Sequence, residues 1–467
     1  MMRKEFVVKS FLFLVFGLFS IAALLYPAIQ NGYPLLYSDS ASYICSGHDG
    51  VVPIDRPIVY GLIVRHVSMS FSLWFVVIFQ AAVFFALTWF TVRVLFRRER
   101  AVYYTTFVCL LTGFLTGASN YISQIMPDIF TGYMIWSVAL LMLPVQQKMR
   151  WIIWGVALIS ATVHYSNLMT LSVIALLLLL VNQLWKHWLS PDRLLKVQLG
   201  TLIVIPWIIL LVINFAYERE FFINRSTPVF LTGRLIETGL VHQYLTNYPE
   251  AKQDALYPYK DQLPEKIWQF VWNDDSPLYN DSCLAQGWVN CWLYHADEYR
   301  NTIRSILSKP ELLSKFIRIC FSDWIKQLSD FNIGHLTQQG ANSALSDIIT
   351  HYFDDAPMFR QSKQFNEDLF FTKESRVQHY AVLCSIILLG ILLWITCQPH
   401  RKKLLFILAV ILAGMVLNAF FCSSLSGVLN RYQGRVVWLL PWIAIVVIIS
   451  FAESIHQKKQ HAGKEAI

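Results

Sequence analysis

A carboxylate and an arginine lie 17 positions apart in the segment 33–65, YPLLYSDSASYICSGHDGVVPIDRPIVYGLIVR. Asp39 stands between two serines, and Arg56 precedes Pro57 and a short apolar run. A carboxylate can take a proton from a hydroxyl group, and an arginine can hold a phosphate through two hydrogen bonds. A carboxylate and an arginine at this spacing are therefore candidates for catalysing a group-transfer reaction. An ordinary loop ion pair, or Asp39 as a helix N-cap, accounts for the same residues without chemistry.

A second polar group, Asn430-Arg431-Tyr432-Gln433-Gly434-Arg435, comes directly before the last apolar run of the chain. Two arginines four positions apart lie on one face of a helix. One interpretation is that they bind a negatively charged group. The alternative is that both are anchors whose charged ends reach out of the membrane towards water.

Two short turns between apolar runs carry further candidates. Asp128 follows Met126-Pro127 and is interpreted first as the N-cap of a helix that begins at Ile129, with substrate contact as the alternative. His164 opens the turn His164-Tyr165-Ser166-Asn167 and can bond a phosphate or a sugar hydroxyl. A turn histidine with its hydrogen bonds satisfied inside the protein is the alternative for that position.

The long polar segment 217–378 contains residues typical of a sugar-binding groove. Aromatic rings stack on sugars and carboxylates accept hydrogen bonds from them, which singles out Trp272 and Asp274. Ordinary surface chemistry explains the same residues. Cys283 and Cys291, eight positions apart in this segment, either form a disulfide in an oxidising compartment or remain free thiols.

The composition places these residues in a membrane protein. Of 467 residues 55% are hydrophobic and 15% charged, with a mean hydropathy of +0.46, which is more apolar surface than a soluble domain of this size can bury. Ten apolar runs predict an all-α polytopic protein with about ten transmembrane helices and a mostly helical extracytoplasmic domain. The runs lie at roughly 10–29, 71–94, 101–120, 129–147, 151–164, 168–185, 199–216, 379–397, 403–422 and 436–452.

The basic residues orient these runs. Clusters at Arg3 and Lys4, Arg97 to Arg100, Lys148 and Arg150, Lys186 to Lys196, Arg401 to Lys403, and Lys458 and Lys459 all fall on one side. This pattern predicts that both termini are cytoplasmic, and it explains the net charge of +8 without a nucleic-acid partner. The N-terminal run is predicted to be a retained helix, because no small-residue cleavage site follows it.

The same pattern divides the chain into three parts. Residues 1–216 form an N-terminal transmembrane module of about seven helices, with the first external loop at 30–70. Residues 217–378 form the extracytoplasmic domain, in which the stretch 310–328 has the apolar spacing of an amphipathic helix. Residues 379–467 form a C-terminal module of about three helices and a cytoplasmic tail.

The pattern Asp-Ser-x-x-Tyr in residues 39–43, followed by Arg-Pro-x-x-Tyr in residues 56–60, resembles the first external loop of the GT-C glycosyltransferases. The resemblance is to the bacterial branch related to protein O-mannosyltransferases and lipid A aminoarabinose transferases, and it extends to the topology and the last helix pair. It implies a sugar donor linked to polyprenyl phosphate. It also implies that Asp39 is the base that deprotonates the acceptor and that Arg56 contacts the phosphate.

The expected protein is therefore an inverting glycosyltransferase of the bacterial inner membrane, acting at its external face on an envelope glycan, lipid or protein. The alternatives are a non-catalytic envelope scaffold and a transporter or flippase of lipids or glycans. No cofactor is expected, and the sequence does not indicate a divalent metal but leaves metal dependence open. Membrane lipids are expected partners. The candidate residues are Asp39 as base; Arg56, Arg431, Arg435 and His164 for the donor phosphate; and Tyr43, Asp128, Tyr432, Trp272 and Asp274 for substrate.

The predicted orientation is tested with topology reporters fused to truncated chains. Fusions should read cytoplasmic after Arg100, Lys196 and His400. Fusions should read external after Ser46, Asp261 and Gly427. A cytoplasmic reading at Asp261 would place the polar segment on the side opposite the proposed donor and overturn the functional interpretation.

Overall fold

The computed structural model describes residues 2–184, 193–279, 281–285, 287–395 and 400–465. Residues 186–192, which belong to the basic cluster Lys186 to Lys196, lie outside the described residues. The described chain is almost entirely helical. One two-stranded antiparallel pair interrupts it, with His335 opposite Phe370.

The N-terminal part is built from eleven helices among the described residues. The helices are α1 (Met2–Leu24), α2 (Tyr26–Asn31), α3 (Ser40–Asp49), α4 (Val59–Ser68), α5 (Trp74–Leu95), α6 (Ala101–Leu115), α7 (Ala118–Ile122), α8 (Asp128–Leu141), α9 (Gln147–Thr162), α10 (Tyr165–Leu184) and α11 (Arg193–Glu218). Helix α8 packs on α9 and α10 on α11, which follow each other in sequence, whereas α1 packs on α6, from which four helices separate it.

The segment 217–378 is mostly helical, as predicted. Its elements are α12 (Thr227–Glu237), α13 (Leu240–Asn247), α14 (Ile267–Trp272), α15 (Asp281–Leu284), α16 (Trp288–Tyr294), α17 (Ala296–Leu307), α18 (Pro310–Ser329), β1 (His335–Leu336), α19 (Ala344–Tyr352), α20 (Ala356–Arg360), α21 (Lys363–Asn366) and β2 (Leu369–Phe370). Buried residues between Val229 and Leu312 form a hydrophobic core of their own. Residues of α19 and α20 instead join the core of the transmembrane helices. Cys283 and Cys291 form a disulfide.

The C-terminal part consists of α22 (Thr372–Ile395), α23 (His400–Ser426), α24 (Asn430–Val437) and α25 (Leu439–Glu465). Helix α23 packs against α8, α10 and α18, and α22 packs against α25. These contacts close the C-terminal helices onto the N-terminal part, so that the two ends of the chain share one core.

Six described helices are long and apolar enough to cross a membrane: Trp74–Leu95, Tyr165–Gln183, Arg193–Glu218, Thr372–Leu392, Arg401–Ser426 and Asn430–His456. Ser10–Leu24 and Asp128–Leu141 are shorter apolar helices. An all-α membrane protein is therefore confirmed, whereas the count of about ten spans stays a prediction. The run 101–120 is not one helix, because α6 ends at Leu115 and the chain turns at Gly117 into the buried α7.

The backbone of the segment before Asp39 is held by hydrogen bonds on both of its sides. The backbone of Leu35 accepts a hydrogen bond from Ile125 N (2.9 Å) and donates one to Ser123 O (2.8 Å). The buried amide of Gln364 accepts from Leu36 N (3.0 Å) and donates to Leu36 O (2.7 Å). Gln364 thus replaces the backbone of a neighbouring strand, and Asp39 follows a segment that has little freedom to move.

Helices α3 and α4 cross in direct backbone contact. A Cβ atom on Gly47 would lie 2.0 Å from the carbonyl oxygen of Gly61, and one on Gly61 would lie 2.4 Å from Ser46 Oγ. Only glycine fits at such a crossing. With the helices held together here, Arg56 in the connecting loop reaches back to Asp39 at the start of α3.

Replacing Gln364 tests how the first loop is held. Gln364→Ala leaves two buried backbone groups of Leu36 without partners, so we expect the free energy of unfolding to fall by about 1–3 kcal/mol. Denaturation of the purified protein in detergent measures this loss. Gln361→Ala, at an exposed position close by, should change stability by less than about 0.5 kcal/mol. Equal effects of the two variants would contradict the role given to Gln364.

Candidate functional site

Asp39 lies between two arginines that are far apart in the sequence. Arg56 Nη2 donates to Asp39 Oδ1 at 3.3 Å, and Arg431 Nη1 donates to Asp39 Oδ2 at 3.4 Å. The structure therefore brings together the first loop and α24. The Asp39 side chain is 27% exposed, so a molecule outside the protein can reach the carboxylate.

Aromatic rings hold both guanidinium groups in place. The Arg56 guanidinium lies 5.1 Å from the centre of the Tyr43 ring, and its Nε also bonds both carboxylate oxygens of Asp55, at 3.0 and 3.1 Å. The Arg431 guanidinium lies 4.5 Å from the Tyr37 ring and 5.8 Å from the Tyr432 ring. Cation–π contacts of this kind fix the plane of an arginine before any ligand arrives.

The Asp39 carboxyl is ionised at neutral pH. Burial by itself would raise its pKa, but the charges and hydrogen bonds of Arg56 and Arg431 outweigh burial and hold the pKa below the usual value. Asp39 directly precedes α3, yet its side chain makes no hydrogen bond to the N–H groups of that helix. The N-cap interpretation of Asp39 is therefore wrong, and the ion-pair interpretation describes its contacts.

One helical turn after Arg431, the side chain of Arg435 forms a second and fully buried ion pair. Its Nη1 lies 3.3 Å from Asp128 Oδ1, and the two side chains are 0% and 2% exposed. Nη2 of Arg435 also donates to Asn418 Oδ1 at 2.8 Å and to Ser166 Oγ at 2.9 Å. Because Arg435 has no exposed surface, the structure does not present it to a lipid phosphate.

These contacts correct two further interpretations. Asp128 is not an N-cap, because α8 begins at Asp128 itself and the carboxylate pairs with Arg435. Arg431 and Arg435 are not anchors reaching towards water, because both point inward to carboxylates. The Tyr432 ring lies between them, 5.4 Å from the Arg435 guanidinium.

His164 belongs to the network around Arg435. Its Nδ1 accepts a hydrogen bond from Ser166 N at 3.2 Å and lies 2.8 Å from Ser166 Oγ. Burial, together with the charges of Arg435, Arg431 and Arg56, holds the pKa of His164 well below its usual value. The imidazole is therefore neutral at physiological pH. These contacts agree with the interpretation of His164 as a turn histidine bonded inside the protein, and not with a positively charged group that binds phosphate.

Trp272 and Asp274 belong to a different part of the molecule. Trp272 packs against Phe230 and Trp292, with ring centres 6.5 and 5.4 Å apart, beside the core formed by residues 229–312. Asp274 is exposed in the turn after α14. The cluster around Asp39 is instead built by α3, its connection to α4, and α24. The contacts described for Trp272 and Asp274 do not reach that cluster, so they do not support a role in binding substrate there.

Sequence reasoning missed residues that complete the two clusters. Asp55 neutralises Arg56 from the adjacent position, and a carboxylate next to an arginine was a signal that could have found it. Asn418 and Ser166 surround Arg435 from α23 and α10, and no sequence pattern links them to it. Within the residues that the structure describes, no group of three His, Cys, Asp or Glu side chains is arranged to hold a metal ion.

Comparison with protein-family models, with curated proteins and with solved structures finds no match for this chain.

The burial of the Arg435–Asp128 ion pair predicts a large loss of stability when its carboxylate is removed. Asp128→Asn leaves a buried guanidinium without its counter-charge, so we expect the free energy of unfolding to fall by about 3–5 kcal/mol. Adding Arg435→Gln should restore part of this loss, because the uncompensated charge is then removed. Denaturation of the purified variants in detergent measures both effects.

The matched control for this test is Asp297→Asn, which breaks an ion pair with Arg300 whose side chains are 88% and 55% exposed. It should cost less than about 1 kcal/mol. A loss at Asp128 no larger than that at Asp297 would contradict the structural role of the buried pair.

Proposed function

We propose that this chain is a membrane glycosyltransferase that moves a sugar from a polyprenyl-phosphate donor to an envelope glycan, lipid or protein. The proposal includes the bacterial inner membrane as its location, cytoplasmic termini and an external active face. The observation that carries it is the partly exposed Asp39 carboxylate held between Arg56 and Arg431. A base for the acceptor and two cations for a phosphate are the groups such a transfer needs.

In the proposed reaction Asp39 takes the proton of the acceptor hydroxyl. The acceptor oxygen attacks the anomeric carbon from the face opposite the phosphate, and the bond between that carbon and the phosphate oxygen breaks. The phosphate leaves with the electron pair, so the configuration at the anomeric carbon inverts. Arg56 and Arg431 stabilise the negative charge that develops on the leaving phosphate.

The present contacts of the arginines suit this sequence of events. Both guanidinium groups bond Asp39, and Arg56 Nη1 also lies 3.3 Å from Asp39 Oδ1. Among the described residues, the buried Arg431 Nε has no hydrogen-bond partner. A phosphate between them would attract these donors and weaken their bonds to Asp39. The pKa of Asp39 would then rise, because burial still acts while the neighbouring charges are neutralised. The carboxylate therefore becomes a stronger base when the donor is bound.

Replacing Asp39 tests the proposed base. Asp39→Asn keeps the shape of the side chain but cannot accept the acceptor proton, so we expect turnover to fall by about two to four orders of magnitude. The measurement is mass spectrometry of envelope glycans and lipids from a deletion strain that carries the variant. Modification is compared at equal protein level, because Asp39→Asn also removes the counter-charge of Arg431, whose side chain is 20% exposed.

Two companion variants sharpen this test. Asp297→Asn, at a carboxylate that is 88% exposed, should leave glycan modification unchanged. Arg431→Lys should weaken donor use and keep only part of the activity, because a point charge cannot replace the planar fork of arginine. Full modification with Asp39→Asn at normal protein level would end the case for Asp39 as base. That result would favour a non-catalytic scaffold, whereas altered substrate flux with intact glycans would favour a transporter.

A further inference from the structure

Helix α18 carries an inclined row of exposed apolar side chains. Four of them recur at every fourth position and together cover about 120° of the helix surface. They are Leu313, Ile317, Phe321 and Ile325, with 37%, 58%, 58% and 50% of their surfaces exposed. The sequence pattern that predicted this helix concerned a different side, on which Leu312 and Cys320 are buried.

The helix therefore has three faces. Buried side chains, among them Leu312, Cys320 and Gln327, face the protein. Exposed polar side chains, such as Arg318 and Ser322, lie on the side of the apolar row that faces away from the buried residues. A helix in water needs only a buried and a polar face, whereas a helix at a membrane surface also needs a face for lipid.

Contacts with α23 place α18 at the level of the bilayer. The indole Nε1 of Trp324 donates to Val416 O at 3.0 Å. About 20 helical residues cross the hydrocarbon core, so a span that starts after the basic residues 401–403 leaves it near Cys422. Val416 lies before that point, inside the core. The Trp324 side of α18 is consequently within reach of the acyl chains.

The apolar row of α18 also continues the outer surface of α23. The Phe321 and Trp324 rings are 5.6 Å apart, and the Trp324 and Phe420 rings are 5.7 Å apart. Phe420 is 38% exposed on α23, as is Leu412 at 43%. A transmembrane helix exposes such residues to lipid, so the surface on α18 that joins them meets the same medium.

We propose that α18 is embedded in the membrane interface, with Leu313, Ile317, Phe321 and Ile325 in contact with phospholipid acyl chains. The helix then attaches the part of the chain formed by residues 229–312 to the bilayer as well as to the transmembrane helices. This contact does not depend on the chain being a transferase. It assigns a lipid-binding role to a helix within a segment whose composition is that of a soluble domain.

Photo-crosslinking in a bilayer tests this proposal. The photoreactive residue p-benzoyl-phenylalanine is incorporated singly at Ile317, Phe321 or Ser322 of the full-length protein, in nanodiscs of phosphatidylethanolamine and phosphatidylglycerol. Ile387, which is 64% exposed on the transmembrane helix α22, provides the yield of a lipid-facing position. We expect light-dependent phospholipid adducts at Ile317 and Phe321 with yields comparable to that at Ile387. At Ser322, on the polar face, the adduct should be lost.

Three results would overturn the proposal. The first is the absence of lipid adducts at Ile317 and Phe321 while Ile387 is labelled. The second is an equal yield at Ser322, since lipid contact would then not follow the apolar face. The third is a crosslink from Ile317 to a second copy of the chain, which would assign the row to an oligomer interface. The labelled positions are exposed, and unchanged thermal unfolding of each variant confirms that the fold is kept.

Discussion

The buried ion pair between Arg435 and Asp128 is the contact on which the site around Asp39 depends. It joins α24 to α8, and further bonds to Asn418 and Ser166 join α23 and α10 at the same guanidinium. Removing two charges from water is costly. Among the described residues, Asp128 Oδ2 and Arg435 Nε have no hydrogen-bond partner, so the other contacts of the Arg435 guanidinium must hold α24 in place. Because α24 is held at this point, Arg431 one turn earlier has a defined direction, which is towards Asp39.

The two arginines of α24 have identical side chains but differ in burial and in their partners. Arg435 has no exposed surface and satisfies carboxylate, amide and hydroxyl groups of the protein, whereas Arg431 is 20% exposed and shares Asp39 with Arg56. One helical turn, about 5.4 Å, separates them along the helix axis. The inner pair joins α24 to α8, whereas the outer contact leaves the Asp39 side chain partly exposed.

The sequence singled out Asp39, Arg56 and Arg431 because the pattern of basic clusters predicts that all three lie on one side of the membrane. It could not predict which candidates would be enclosed, since burial of Arg435, Asp128 and His164 depends on how the helices pack. Hydropathy likewise located apolar runs but not their breaks, so the run 101–120 hid the turn at Gly117. Gln364 had no signal at all, because its partner Leu36 lies 328 positions away.

The bond between Gln364 and Leu36 also has a consequence for biogenesis. A ribosome makes the loop that contains Asp39 long before it makes Gln364, and Arg431 is synthesised later still. Early transmembrane helices can therefore insert before Gln364 is available to bond the backbone of Leu36, and before Arg431 is available to pair with Asp39. The site is thus completed only when nearly the whole chain has been translated, and an incomplete chain carries the loop without the groups that hold it.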